Sequence, residues 1–184
     1  MHDRRYALLF AVRLARIAGE HLRSYFGREV AVRIKSDGTE VTDADLEAEQ
    51  IIRSSIEREF PSHSILGEEF GLIRGESRYR WIIDPLDGTR WFRLGMPIFG
   101  TLIAFIEDEE PTIGVMHFPV AQETIYAGKG LGCWYRGRLA GPIQIRVARV
   151  AGLDQAIASA SGIHGSTLRK GSGGETYNLP YPFS

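Results

Sequence analysis

The run Trp81-Ile82-Ile83-Asp84-Pro85-Leu86-Asp87-Gly88-Thr89 constrains this chain more than any other. An apolar strand delivers two carboxylates three positions apart, and a glycine and a hydroxyl follow at once. Pro85 blocks simple continuation of a β-ladder and predicts a turn. Such a turn directs Asp84, Asp87 and the backbone carbonyl of Leu86 toward one point. Hard cations such as Mg²⁺ take oxygen sets of this kind. Without a cation, carboxylates held together repel, and one carries a raised pKa. Glu68, in Gly67-Glu68-Glu69, reaches in from a neighbouring loop. Gly88 lets the backbone approach an anion closely, and a helix starting at Thr89 turns free N–H groups toward it. The same spacing fits an Asx-turn, in which Asp84 and Asp87 only cap local backbone. Spacing alone leaves both readings open.

Hydrophobic periodicity places this run in an α/β framework. Leu8, Val12, Ala15, Ala18 and Leu22 form a stripe that predicts a helix over 4–26, with Gly27 as its stop. Val30 to Ile34 alternates as a short strand, and Lys35 to Thr39 has turn chemistry. A second helix is expected over 43–59, capped by Thr42 or Asp43 and ended by Pro61. Its buried face is read as Leu46, Ile51, Ile52, Ile56 and Phe60. Ile65-Leu66 is too short to stand as a strand and is expected to edge the loop that holds Glu68. Strands follow at 80–83, 98–106, 112–118, 123–127 and 143–147. Glu107 to Pro111 reads as a solvated hairpin end, and Gly128, Gly130 and Gly132 as a tight turn.

Lys+Arg 22 against Asp+Glu 23 leaves a net charge of -1, which gives no sign of a nucleic-acid or anionic-membrane partner. The single cysteine, Cys133, has no internal disulfide partner and points to a reducing cytoplasm. Arg13 and Arg16 break the first apolar run, so neither a secretory signal nor a membrane span is expected.

"GEE" at 67–69 followed by "WIIDPLDGT" at 81–89 resembles the inositol monophosphatase superfamily of Mg²⁺-dependent, lithium-sensitive phosphatases. Lys35 to Thr39, with Val41-Thr42-Asp43-Ala44-Asp45, is similar to its upstream motif. The resemblance implies roles for individual residues. Glu68, Asp84 and the Leu86 carbonyl would hold a first metal, and Asp84 and Asp87 would share a second, with two or three Mg²⁺ per site. Glu68 and Thr89 would activate the attacking water, and Asp45 would orient Thr89. Gly88 and Thr89 would hold phosphate, with Arg90 reaching the substrate or lying on the surface. Glu69 ranks lower, facing another metal or solvent, and Asp43 reads as a helix cap.

The implied fold is the layered α/β/α/β/α sugar-phosphatase architecture, incomplete at its C-terminus. A later Trp-Asp pair of the family is absent, and Asp154 stands in a different setting. Residues 1–140 are read as an α+β domain carrying the metal and phosphate site, and 141–184 as the start of a second α/β unit. The implied reaction is hydrolysis of a small phosphorylated alcohol. Asp87-Gly88-Thr89-Arg90 and the run from Gly95 to Ala104 resemble the histidinol-phosphatase branch, so L-histidinol phosphate is preferred over inositol 1-phosphate. The contrasting reading is a catalytically weak homologue that binds anions or a partner. The family is commonly a homodimer.

Overall fold

A computed structural model describes residues 3–36, 40–139, 141–152, 155, 168–170 and 176–178. Asp37, Gly38, Thr39 and Asp154 lie outside the described residues. The chain divides into two compact units, Met1–Arg146 and Val147–Ser184.

The first unit is a helix layer on one face of a sheet. Helix α1, Arg4–Tyr25, starts where the Asp3 side chain accepts the Arg5 N–H at 2.9 Å. Its expected stripe is buried, from Leu8 through Leu22, and each fully buried aliphatic side chain contributes roughly 1.5–3 kcal/mol. The short antiparallel pair β1, Val32–Ile34, and β2, Glu40–Thr42, leads into α2, Asp43–Glu59. The buried face of α2 differs from the expected one. Ala44, Ala48, Ile52 and Ile56 are buried, while Leu46 and Ile51 are half-buried. The face also takes in Asp45, Glu49 and Arg53.

Eight strands form one sheet in the order β10-β9-β8-β7-β6-β5-β3-β4. They are β3 (Ser64–Gly67), β4 (Gly71–Ile73), β5 (Tyr79–Asp87), β6 (Gly100–Glu107), β7 (Glu110–Phe118), β8 (Glu123–Gly128), β9 (Gly132–Arg136) and β10 (Ile143–Gln144). Helix α1 lies across β6, β7 and β8, and α2 across β5 and β3. Trp81, fully buried on β5, anchors the interface. Its ring packs against Phe10, Phe60 and Phe105, and its indole N–H reaches His63 Nδ1 at 3.0 Å. Such edge and tilted ring contacts add to simple burial. The second unit contains the antiparallel pair β11 (Leu168–Lys170) and β12 (Thr176–Asn178). Among the described residues, no helix is long and apolar enough to cross a membrane.

Three local expectations are corrected. Ile65-Leu66 does form a strand, because β3 is paired on both sides, antiparallel to β4 and parallel to β5. Pro85 does not end β5. The ladder to β6 runs to Asp87, with its register shifted between Asp84 and Asp87. A proline is tolerated where the ladder is interrupted, and the Pro85 carbonyl accepts the Thr101 hydroxyl at 2.9 Å. The strand expected over 143–147 pairs only at Ile143 and Gln144.

Candidate active site

The parallel pairing of β3 with β5 brings the two acidic segments together. Gly67 is in register with Ile83, and the Glu68 N–H donates to the Ile83 carbonyl at 3.1 Å. Glu68 therefore leaves its strand beside Asp84. One Asp84 oxygen, Oδ1, is buried without a hydrogen-bond partner. Burial, the Glu68 charge and hydrogen bond, and the Asp87 charge push the Asp84 carboxyl up to about 8, against a Leu86 backbone hydrogen bond that lowers it. Asp87 lies further out and is exposed.

The strand ends in a glycine for a geometric reason. Gly88 has φ 87°, the left-handed region, and caps the short helix α3, Thr89–Arg93. A Cβ there would also meet the Ile98 carbonyl at 3.3 Å. The turn sets the Thr89 hydroxyl 3.0 Å from Asp45 Oδ1 and 3.1 Å from the Leu86 carbonyl. Asp45 Oδ2 accepts the Thr42 N–H at 2.8 Å and the Thr42 hydroxyl. One carboxylate thus joins the start of α2 to the start of α3. Burial raises the Asp45 pKa, and the hydrogen bonds from Thr42 and Thr89 hold it down.

Two sets of charges stand here that the sequence did not mark as functional. Lys35 reaches Glu69 at 2.8 Å and Glu68 at 3.3 Å. Burial disfavours its charge, but the Glu69 and Glu68 carboxylates outweigh that and raise its pKa. Glu69 accordingly does not face solvent. Its side chain is 3% exposed and paired with Lys35, which corrects the solvent-facing alternative. Burial raises the Glu69 pKa, and Lys35 opposes the rise.

Behind this loop, Glu49 is fully buried and bonded to Arg53 Nε at 2.7 Å. The same carboxylate accepts the Glu69 N–H at 2.7 Å and the Phe70 N–H at 3.2 Å. Arg53 also donates to the Gly71 carbonyl. The Glu49–Arg53 pair thus fixes the backbone that carries Glu68. A helical i, i+4 acid–base pair reads as a solvated face, so spacing gave no signal of this role.

The donor chemistry of Glu68, Asp84, Asp87 and the Leu86 carbonyl fits a hard divalent cation. An unpartnered buried carboxylate oxygen between two other acids is the observation that carries this fit. The cage expected from the motif is not closed. Among the described residues, no three acidic, histidine or cysteine side chains converge as a metal-holding group. The Lys35 ammonium meets Glu68 and Glu69 instead. Arg90 is exposed on α3, and Asp43 opens α2 and pairs with Arg33 at 2.7 Å.

Residues 3–177 match the Inositol monophosphatase family. The chain belongs to the inositol monophosphatase family. Within it, the chain is 38% identical over 159 residues to a histidinol-phosphatase of Mycobacterium tuberculosis, covering 86% of this chain and 61% of that protein. It is 36% identical over 151 residues to a fructose-1,6-bisphosphatase/inositol-1-monophosphatase of Thermotoga maritima, covering 82% of this chain and 56% of that one. The extragenic suppressor protein SuhB of Bartonella henselae has a similar structure, with TM-score 0.72 at 31% identity, covering 79% of this chain and 55% of that chain. The chain spans about half the length of the curated relatives it matches. The mixed α/β fold is thus that of inositol monophosphatase relatives.

Proposed function

We propose that this chain carries the phosphate-hydrolysing centre of a magnesium-dependent phosphomonoesterase, with L-histidinol phosphate as the preferred substrate. The observation that carries the reading is Asp84, whose unpartnered buried oxygen stands among Glu68, Asp87 and the Leu86 carbonyl. In this proposal those four groups hold Mg²⁺, which supplies Lewis-acid charge to the phosphoryl oxygens when bound.

The chain's own residues then divide the remaining work. Glu68 accepts a proton from the attacking water, and the Thr89 hydroxyl orients that water. Asp45 accepts the Thr89 hydroxyl hydrogen bond and so fixes the direction of its lone pairs. Gly88, without a side chain, leaves space for phosphate beside the backbone of Gly88 and Thr89. Arg90 adds positive charge on the substrate side. Glu49 and Arg53 position the Glu68 loop.

The preference for histidinol phosphate is supported by the Asp87-Gly88-Thr89-Arg90 sequence and by relatives of that name at 38% and 40% identity. Inositol 1-phosphate is the second reading, supported by the Thermotoga maritima relative at 36%. The proposal also takes the protein as a homodimer in the cytoplasm, a reducing compartment where the free Cys133 thiol persists.

Phosphate release from a panel of small phosphate monoesters, with and without Mg²⁺, tests the reading. Histidinol phosphate should be turned over fastest, only with the metal, and not by Asp87→Asn. A folded chain that hydrolyses no monoester under any metal would overturn it in favour of an anion- or partner-binding homologue.

A further inference from the structure

A cavity of about 610 Å³ opens between the exposed side of α1 and the β7–β8 and post-β9 segments, formed by none of the acidic residues described above. Four arginines line it: Arg13 and Arg16 from α1, and Arg136 and Arg138 from the end of β9 and just beyond. Arg13 and Arg16 are three apart, so they share a helix face. Arg136 ends β9, and Arg138 follows two residues on, beyond Gly137.

Several arginines elsewhere in this unit are engaged by acids. Arg4 and Arg78 meet Glu107, Arg33 meets Asp43, Arg53 meets Glu49, Arg80 meets Glu109 and Arg93 meets Glu40. Among the described residues, none of the four cavity arginines forms an ion pair. The one acid on the wall, Glu20, has its carboxylate 3.5 Å from Arg23. Four guanidinium groups from two distant segments line one wall, a concentration of positive charge that a multiply charged anion would offset.

A second feature is independent of those charges. His117, on β7, is 6% exposed and lies on the cavity wall. Its Nδ1 is committed to the Thr124 hydroxyl at 2.9 Å. Its other edge, Cδ2 and Nε2, lies against Gly19, where a Cβ would meet it at 2.5 and 2.9 Å. Gly19 thus admits a polar ring to an otherwise aliphatic face of α1. Leu9 and Ile17 add exposed apolar surface to the same wall.

We propose that this cavity is a second binding site, for a small molecule that carries a multiply charged phosphate group and an apolar body. The volume is that of small-ligand pockets and far below a macromolecular footprint. The net lining charge is +3, from four arginines and one glutamate, and the planar guanidinium fork matches phosphate oxygens in pairs. The apolar body rests on Leu9 and Ile17, beside the His117 ring.

Titration calorimetry with phenyl phosphate and with inorganic pyrophosphate, on the 184-residue chain without divalent cation, tests this. The double variant Arg16→Gln/Arg136→Gln should bind phenyl phosphate roughly tenfold or more weakly than wild type. Two other doubles should bind as wild type. One is Asp84→Asn/Thr89→Ala at the candidate active site. The other is Arg5→Gln/Arg28→Gln, which removes two exposed arginines off the cavity. Equal weakening in any control double, unchanged binding in the cavity double, or no saturable binding by wild type overturns the site. Should the cavity double fail to fold, backbone amide shifts of wild type decide. Phenyl phosphate should move Ile17, Thr124 and Gly137, and stationary signals there overturn the proposal.

Discussion

Asp45 receives the Thr89 hydroxyl at 3.0 Å with one oxygen and the Thr42 N–H at 2.8 Å with the other. A helix cap and the candidate catalytic hydroxyl therefore depend on one buried carboxylate. Asp45→Ala should cost about 1–2 kcal/mol of stability through the lost cap and also lower kcat. Thr89→Val should lower kcat by roughly 100-fold or more while costing less stability than Asp45→Ala. Thr89→Ser, which keeps the hydroxyl, should restore most of the rate. Urea unfolding and steady-state kinetics on the three variants check the separation.

The Glu49–Arg53 pair is buried on both sides. Removing one partner leaves an uncompensated charge, so Glu49→Ala should destabilise by about 3–5 kcal/mol. Replacing both with well-packed apolar residues should cost far less in unfolding free energy. It should still weaken Mg²⁺ binding, because the Glu69 and Phe70 amides lose their acceptor. Metal-dependent thermal unfolding of the double variant reads that loss directly.

Burial and the neighbouring Glu68 and Asp87 disfavour the charged form of Asp84. Asp84→Asn should raise the unfolding midpoint in the absence of metal. Millimolar Mg²⁺ should raise the wild-type midpoint in a concentration-dependent way, since a ligand of the native state stabilises by mass action. The same titration should leave Asp84→Asn nearly flat. A wild-type midpoint indifferent to Mg²⁺ argues against the donor set.

His117 gives the pH dependence its sign. Burial holds its pKa down to about 4 from an ordinary 6.5, and the Arg16 charge adds to the fall, against a backbone hydrogen bond to Glu123 that raises it. Below 6.5 the unfolded chain takes a proton that the folded chain refuses. Its contribution to stability is complete above pH 6.5 and is lost as pH falls toward 4, by at most about 1.4 kcal/mol per pH unit. His117→Gln should flatten that slope in urea midpoints measured between pH 7 and 4.5.

What the sequence disclosed was local. Asp84 through Thr89 are contiguous, so their spacing alone put two carboxylates, a glycine and a hydroxyl in one place. The α1 stripe was equally plain, because Leu8 to Leu22 repeat on one face. Glu49 and Lys35 were missed for the opposite reason. Each acts on a loop far along the chain, Glu69 in both cases, and a charged residue at helical or turn spacing ordinarily faces water. Burial of Glu49 becomes visible only once α2 is laid across β3 and β5. The Pro85 expectation failed because proline was judged against a regular ladder, whereas β5 is irregular at that point.

The large sheet holds one parallel neighbour pair, β3 with β5, among antiparallel ones. Hairpins such as β6–β7 can zip from their own tight turns. A parallel pair has to be closed by a crossover, here the stretch from Glu68 to Arg78 that also carries β4. Asp84 and Glu68 are strangers until that closure is complete. A change that loosens β3 from β5 would therefore part the two carboxylates while leaving every hairpin of the sheet in place.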